Sequence, residues 1–136
     1  MFLEFLINLI TPVAVSLILG FSPSETALVV IGVFLIDIDH LFYMLYDPKI
    51  KSVSDGLSFT KREYKKHNPH FYLFHTVEFI IIFLVISFLY FENGLLYIAL
   101  GFIINFIIDI FTYLIYYKKT DPWLKYLSLF YYLTFK

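Results

Sequence analysis

The sequence contains no cysteine in 136 residues, which excludes disulfides, zinc-thiolate sites and thiol nucleophiles together. Charge is also scarce: 15% of residues are Asp, Glu, Lys or Arg, against about a quarter in soluble globular domains. With 60% hydrophobic residues, an ordinary soluble domain is excluded, and so is intrinsic disorder. Lys and Arg are missing from the whole N-terminal third, and the first in the chain is Lys49. What abounds is aromatic and aliphatic: 17 Phe, 12 Tyr and a mean hydropathy of +0.80. One domain, residues 1–136, is expected at this length.

Four apolar stretches, near 5–20, 26–46, 70–91 and 95–116, approach the roughly 20 residues that a helix needs to cross a bilayer. The first has no basic segment before it and no small-residue cleavage pattern after it, so it is expected to be a retained helix rather than a signal peptide. Ser22-Pro23-Ser24-Glu25 opens the second with a cap, a first-turn proline and a capping-box glutamate. Asn68-Pro69 is expected to open the third, and Asn93-Gly94 to turn the chain into the fourth. After Asp121-Pro122, a short aromatic segment suits a helix lying in the membrane interface. The fold expected is therefore all-α, a polytopic membrane protein of about four transmembrane helices with a short C-terminal interfacial helix.

Orientation follows from the rule that short cytoplasmic loops retain Lys and Arg. Lys49, Lys51, Lys61, Arg62, Lys65 and Lys66 separate the second and third stretches, and Lys118, Lys119, Lys125 and Lys136 follow the fourth. Four spans place all of them on one side, so both termini and the 47–69 loop are expected to be cytoplasmic in a multi-pass cell-membrane protein. Membrane lipids are the expected surroundings, no nucleic-acid partner is expected, and four short spans leave room for a homodimer.

Inside the expected spans lie Asp37, Asp39, His40, His75, Glu78 and Asp109, with no Lys or Arg to neutralise them. A carboxylate in hydrocarbon costs at least about 2.5–3.5 kcal/mol on insertion scales, so such residues face a bundle interior and have a partner. Either the carboxyls are protonated or a cation binds them. At ~1.5 Å per residue, Asp37 lies roughly 13 Å, His75 about 8 Å and Asp109 about 10 Å from the cytoplasmic ends of their helices, in one layer. Gly101, Asn105, Asp109 and Thr112 share one face of the fourth helix. Asp39 points roughly 160° away from Asp37 in an ideal helix, so it serves another neighbour or marks a local break. A structural role holding helices together is the alternative for each of these groups, most strongly for Glu78.

The order Asp37-Ile38-Asp39-His40, then His70-Phe71-Tyr72-Leu73-Phe74-His75-Thr76, then Gly101 through Asn105 and Asp109 to Thr112, resembles the YdjM-like family of predicted membrane-bound metal-dependent hydrolases. The likeness covers about the first 115 residues. The family pattern has histidines where Pro12 and Asn105 stand, a proline at Ile36 and an arginine at Phe71. The resemblance implies metal ligands among Asp37, Asp39, His40, His70, His75 and Asp109, enough for one centre with an open position.

Asp37, His75 and Asp109 are the expected core ligands. Asp39 and His70 are further ligands or a catalytic base with its support, and Asn105 orients a ligand or the substrate. Carboxylate and imidazole donors without thiolates suit a divalent ion, zinc first, with manganese or iron as alternatives. Hydrolysis by metal-activated water is the expected chemistry, and a lipid-linked phosphoester the first substrate class to test. The rivals are a scaffold that has lost catalysis and a cation or proton carrier. A carrier requires polar faces that reach the far side, whereas Phe79 to Tyr90 contains only Ser87.

Overall fold

The computed structural model describes residues 2–39, 42, 73–90, 93–117 and 128–134, and among them every regular element is helical. Helix α1 runs Phe2–Ile18, α2 Pro23–Leu35, α3 Val77–Leu89, α4 Asn93–Tyr117 and α5 Leu129–Thr134. A 3₁₀ turn, Leu73–His75, stands immediately before α3. The all-α expectation therefore holds for these residues.

The α1–α2 corner is dictated locally. Gly20 takes a left-handed φ of 72°, which a side chain disfavours, and the Phe21 N–H reaches back to the Ser16 carbonyl while the Gly20 N–H reaches Leu17. Ser22 then opens α2 with the capping box its sequence announces: its hydroxyl accepts from the Glu25 N–H, and Glu25 accepts from the Ser22 N–H at 2.6 Å. The Tyr97 hydroxyl donates to the other Glu25 oxygen, pinning α4 to the start of α2.

The Tyr97 hydroxyl, followed by the Ser22 N–H and hydroxyl, holds the Glu25 carboxyl below the usual carboxylate range. A depressed pKa gives stability that is present above the unfolded value, about 4.3, and lost as pH falls through the lower folded value. Glu25→Gln is thus expected to unfold earlier than wild type at pH 6, with the difference shrinking as pH falls below the unfolded value of about 4.3. Thermal unfolding in detergent from pH 6 to pH 3 checks this, and a difference that does not shrink over that range contradicts it.

Packing is dominated by α2 against α4. Leu28 lies by Gly94, Glu25 meets Tyr97, Gly32 meets Gly101, and Asn105 reaches Val33 and Asp37. The numbers rise together along both helices, so α2 and α4 run in the same direction. At Gly32 and Gly101 the two backbones touch, because a Cβ on Gly101 would lie 2.3 Å from the Val29 carbonyl oxygen. Helix α1 runs the opposite way beside α2, bringing Phe5 to Phe34. Val29, Val33 and Ile104 form one buried cluster. Ile36, Ile80 and Phe102 form a second, extended by Phe74, Phe79 and Phe83. The aromatic rings seen here fill the core between α3 and α4 rather than a cofactor slot.

The helices differ from the expected spans in length. Among the described residues, only α4 is long and apolar enough to cross a membrane, over Asn93–Thr112, while Phe5–Ile18, Pro23–Leu35 and Val77–Leu89 are apolar but shorter. A helix of 13 residues such as α2 covers about 20 Å of a hydrocarbon core about 30 Å thick. The stretch expected at 26–46 is interrupted: α2 stops at Leu35, Ile36 and Asp37 form a turn, and helix resumes at Ile38. Within the stretch expected at 70–91, the described residues begin with the 3₁₀ turn at Leu73–His75 and become α-helical at Val77, with Thr76 as the cap. Asn93 and Gly94 are the first residues of α4 rather than a turn before it. The expected interfacial segment is described as α5 alone.

Candidate metal centre

Three separate elements converge at one end of the bundle. The turn after α2 presents Asp37, the 3₁₀ turn presents His75, and α4 presents Asp109. The 3₁₀ turn is held by Thr76, whose buried hydroxyl donates to the Leu73 carbonyl at 2.8 Å and accepts from the Phe79 N–H at 3.2 Å. Phe74, beside His75, stacks on Phe79 with ring centres 4.7 Å apart, so the histidine is anchored by packing on one side and a cap on the other.

His75 Nε2 lies 3.2 Å from Asp37 Oδ1 and 3.4 Å from Asp109 Oδ2. One ligand atom from each of the three residues falls within 4.8 Å of the others. Nδ1, across the ring, lies 3.4 Å from both oxygens of Asp39. Two carboxylates and an imidazole nitrogen directed at one point repel unless a proton or a cation lies between them. The donor set, one nitrogen and two carboxylates with open positions, fits a catalytic divalent ion. His75 is 11% exposed at its side chain, whereas Asp37 is 38% and Asp109 29% exposed, so the carboxylate side is the one that water or a substrate reaches.

Asn105 is fully buried on α4, and its Nδ2 donates to the Val33 carbonyl at 2.8 Å and lies 3.5 Å from Asp37 Oδ2. Val33 lies in the last turn of α2, where carbonyls run out of helical N–H partners, so Asn105 closes the helix end and borders the carboxylate beyond it. Asn105→Ala removes that donor and leaves a buried carbonyl less satisfied, at an expected cost of about 1–3 kcal/mol. Denaturant unfolding with helicity as the readout checks this, and a loss under 0.5 kcal/mol, roughly the level of a neutral surface change, contradicts it.

The remaining residues singled out in the sequence fall as follows. Asp39 sits behind the imidazole, with its Oδ2 accepting from the Phe74 N–H at 3.0 Å. Glu78 faces away from the cluster toward the C-terminal segment, accepting from the Ser128 hydroxyl at 2.5 Å and the Phe130 N–H at 3.2 Å. Pro12 is buried inside α1 and offers no side-chain donor. His40, His70 and the 47–69 loop lie outside the described residues. Sequence reasoning missed Thr76 and the Phe74 N–H. Thr76 followed by Glu78 in the first turn of α3 is a cap signal, while a backbone donor carries no signature in the sequence.

Compared with protein-family models, curated proteins and solved structures, the chain finds no match in any of the three.

Proposed function

We propose that this chain is a multi-span membrane protein in which Asp37, His75 and Asp109 hold one divalent metal ion, zinc first, and that this centre hydrolyses a lipid-linked phosphoester. The observation that carries the reading is the convergence of two carboxylates and an imidazole from three elements distant in sequence. No Lys or Arg lies in the apolar segments that supply them, so a metal ion is the counter-charge the chemistry asks for.

The membrane reading is supported by α4 and by the apolar side chains that α1 and α3 leave exposed, including Leu17, Ile18, Ile82, Phe88 and Leu89. With these helices in a bilayer, the basic residues flanking them place both termini and the 47–69 loop in the cytoplasm. The cluster then lies in the cytoplasmic half of the bundle, where α2 stops and α3 begins. Interrupted helices at such a depth are tolerated where they line a polar or water-filled site.

A bound divalent ion lowers the pKa of its water and polarises the scissile group. The chain's part is to supply two carboxylates that offset the positive charge, to hold Asp37 beside Asn105, and to leave the carboxylate side open to solvent. A carrier role finds no support along α3, whose one polar residue in the outer part, Ser87, donates to its own helix at the Phe83 carbonyl.

The test is phosphoester turnover by the detergent-solubilised chain loaded with zinc, manganese or iron, on a panel that includes lipid phosphates. Turnover that a chelator abolishes, and that Asp109→Asn lowers more than about 100-fold, is the expected result. A metal-loaded chain that turns over no member of the panel contradicts the hydrolase reading and leaves a scaffold.

A further inference from the structure

We propose that Asp39 is the positioning residue of this centre: its carboxylate holds the Nδ1–H of His75, so that the Nε2 lone pair faces the gap between Asp37 and Asp109. The proposal rests on the metal-centre reading given above. It gives Asp39 a role distinct from that of a ligand, and it accounts for the break in the second helix.

The imidazole is flanked on both sides. Nε2 faces Asp37 and Asp109, while Nδ1 faces Asp39, with both Asp39 oxygens 3.4 Å away. A neutral imidazole carries one proton, on one of the two nitrogens. With that proton on Nε2, the Nδ1 lone pair would confront a buried carboxylate with nothing between them. With it on Nδ1, the carboxylate receives a hydrogen bond and Nε2 is left as a donor to a cation. The partner of one ring nitrogen thus selects the tautomer and the job of the other.

Two further observations point the same way. Asp39 is 7% exposed, and its Oδ1 is buried without a hydrogen-bond partner, which is costly unless a donor reaches it. The Nδ1–H, 3.4 Å away, is the donor at hand. Asp39 Oδ2 meanwhile accepts from the Phe74 N–H, the residue next to His75, so one carboxylate fixes both the turn and the ring it carries.

The interruption at Ile36–Asp37 makes this possible. In a continuous helix, residues two apart point roughly 160° from each other and away from any one neighbour. With the helix broken between Leu35 and Ile38, Asp37 and Asp39 reach the same imidazole from opposite sides.

Two measurements on the full chain in detergent test the proposal: zinc titration by calorimetry, and nitrogen-15 NMR of labelled histidine in the zinc-loaded protein, with His75→Gln identifying the signal. In wild type, His75 is expected to hold zinc through Nε2 with Nδ1 protonated. In Asp39→Asn, zinc affinity is expected to fall about 10–100-fold with one site per chain retained. Unchanged affinity in Asp39→Asn overturns the proposal, and so does outright loss of the site, which makes Asp39 a ligand. Zinc held through Nδ1 in the wild type overturns it even if the variant does not fold. A wild-type chain that binds no zinc, manganese or iron contradicts the metal centre instead, and a His75 Nδ1–H signal in that chain leaves the Asp39–His75 pairing standing.

Discussion

Mass spectrometry of the detergent-purified chain is expected to give about one divalent ion per molecule, falling to near zero in Asp37→Asn, His75→Ala and Asp109→Asn. The three variants act alike because the site has only three described ligands. Removing one leaves two, which fails to offset the dehydration of a divalent cation at micromolar concentration. The substitutions differ in their side effects. His75→Ala also opens space behind the 3₁₀ turn and takes the imidazole away from Asp39, so some loss of stability accompanies the loss of metal. Asp37→Asn and Asp109→Asn keep their shape and remove a negative charge from a crowded cluster, so the folded chain is expected to survive and even to gain stability without metal. Wild-type protein that holds no stoichiometric ion after reloading with zinc, manganese and iron sinks the metal reading. The carboxyls would then be protonated partners in a structural network.

Gly101→Ala is expected to be among the most damaging small substitutions in the described residues, costing more than about 3 kcal/mol, the upper range for overpacking. The added Cβ would lie 2.3 Å from the Val29 carbonyl oxygen, 2.7 Å from the Gly32 Cα and 2.8 Å from the Val33 nitrogen. All three are backbone atoms, so no side chain can rotate away and the helices must part. Gly32→Ala meets the Ile98 carbonyl oxygen at 2.3 Å and behaves alike. Separation of α2 from α4 also pulls Asn105 from the Val33 carbonyl and Asp109 from His75, so metal content falls along with stability. Gly94→Ala is the control: its Cβ meets only the Leu28 side chain at 3.7 Å, ordinary contact, and alanine's helix preference makes the change neutral or stabilising by up to about 1 kcal/mol. Denaturant unfolding of the three variants checks the order, and equal stability of Gly94→Ala and Gly101→Ala contradicts the close approach.

Much of the site was legible in the sequence because it depended on quantities that sequence carries. The capping box at Ser22 is local chemistry. The meeting of Asp37, His75 and Asp109 follows from counting depth along helices, and depth survives the shortening of the helices themselves. Asn105 read correctly as a residue of the α4 face that bears Gly101 and Asp109. What was not legible depends on tertiary contacts. The stop at Leu35 has neither proline nor glycine to announce it, and it coincides with an Asn105 amide arriving from α4. Thr76 caps α3, whereas Asn68-Pro69, the cap the sequence suggests, lies outside the described residues. The side of His75 on which Asp39 lies could not be counted, since the helix that would have set it is broken there.

The parallel course of α2 and α4 sets an order on biosynthesis. Asp37 leaves the ribosome 38 residues before His75 and 68 before Asn105. At roughly 5–20 residues per second, that is a wait of about 3–14 s before Asn105 follows it out. During that interval α1 and α2 can pair, but the Val33 carbonyl has no Asn105 amide, and His75 joins Asp37 before Asp109 does. The three-residue cluster is therefore complete only once α4 has emerged. A ribosome stalled before α4 emerges would display α1 to α3 with Asp37 and His75 but without Asp109, an unfinished cluster at the open end of the bundle.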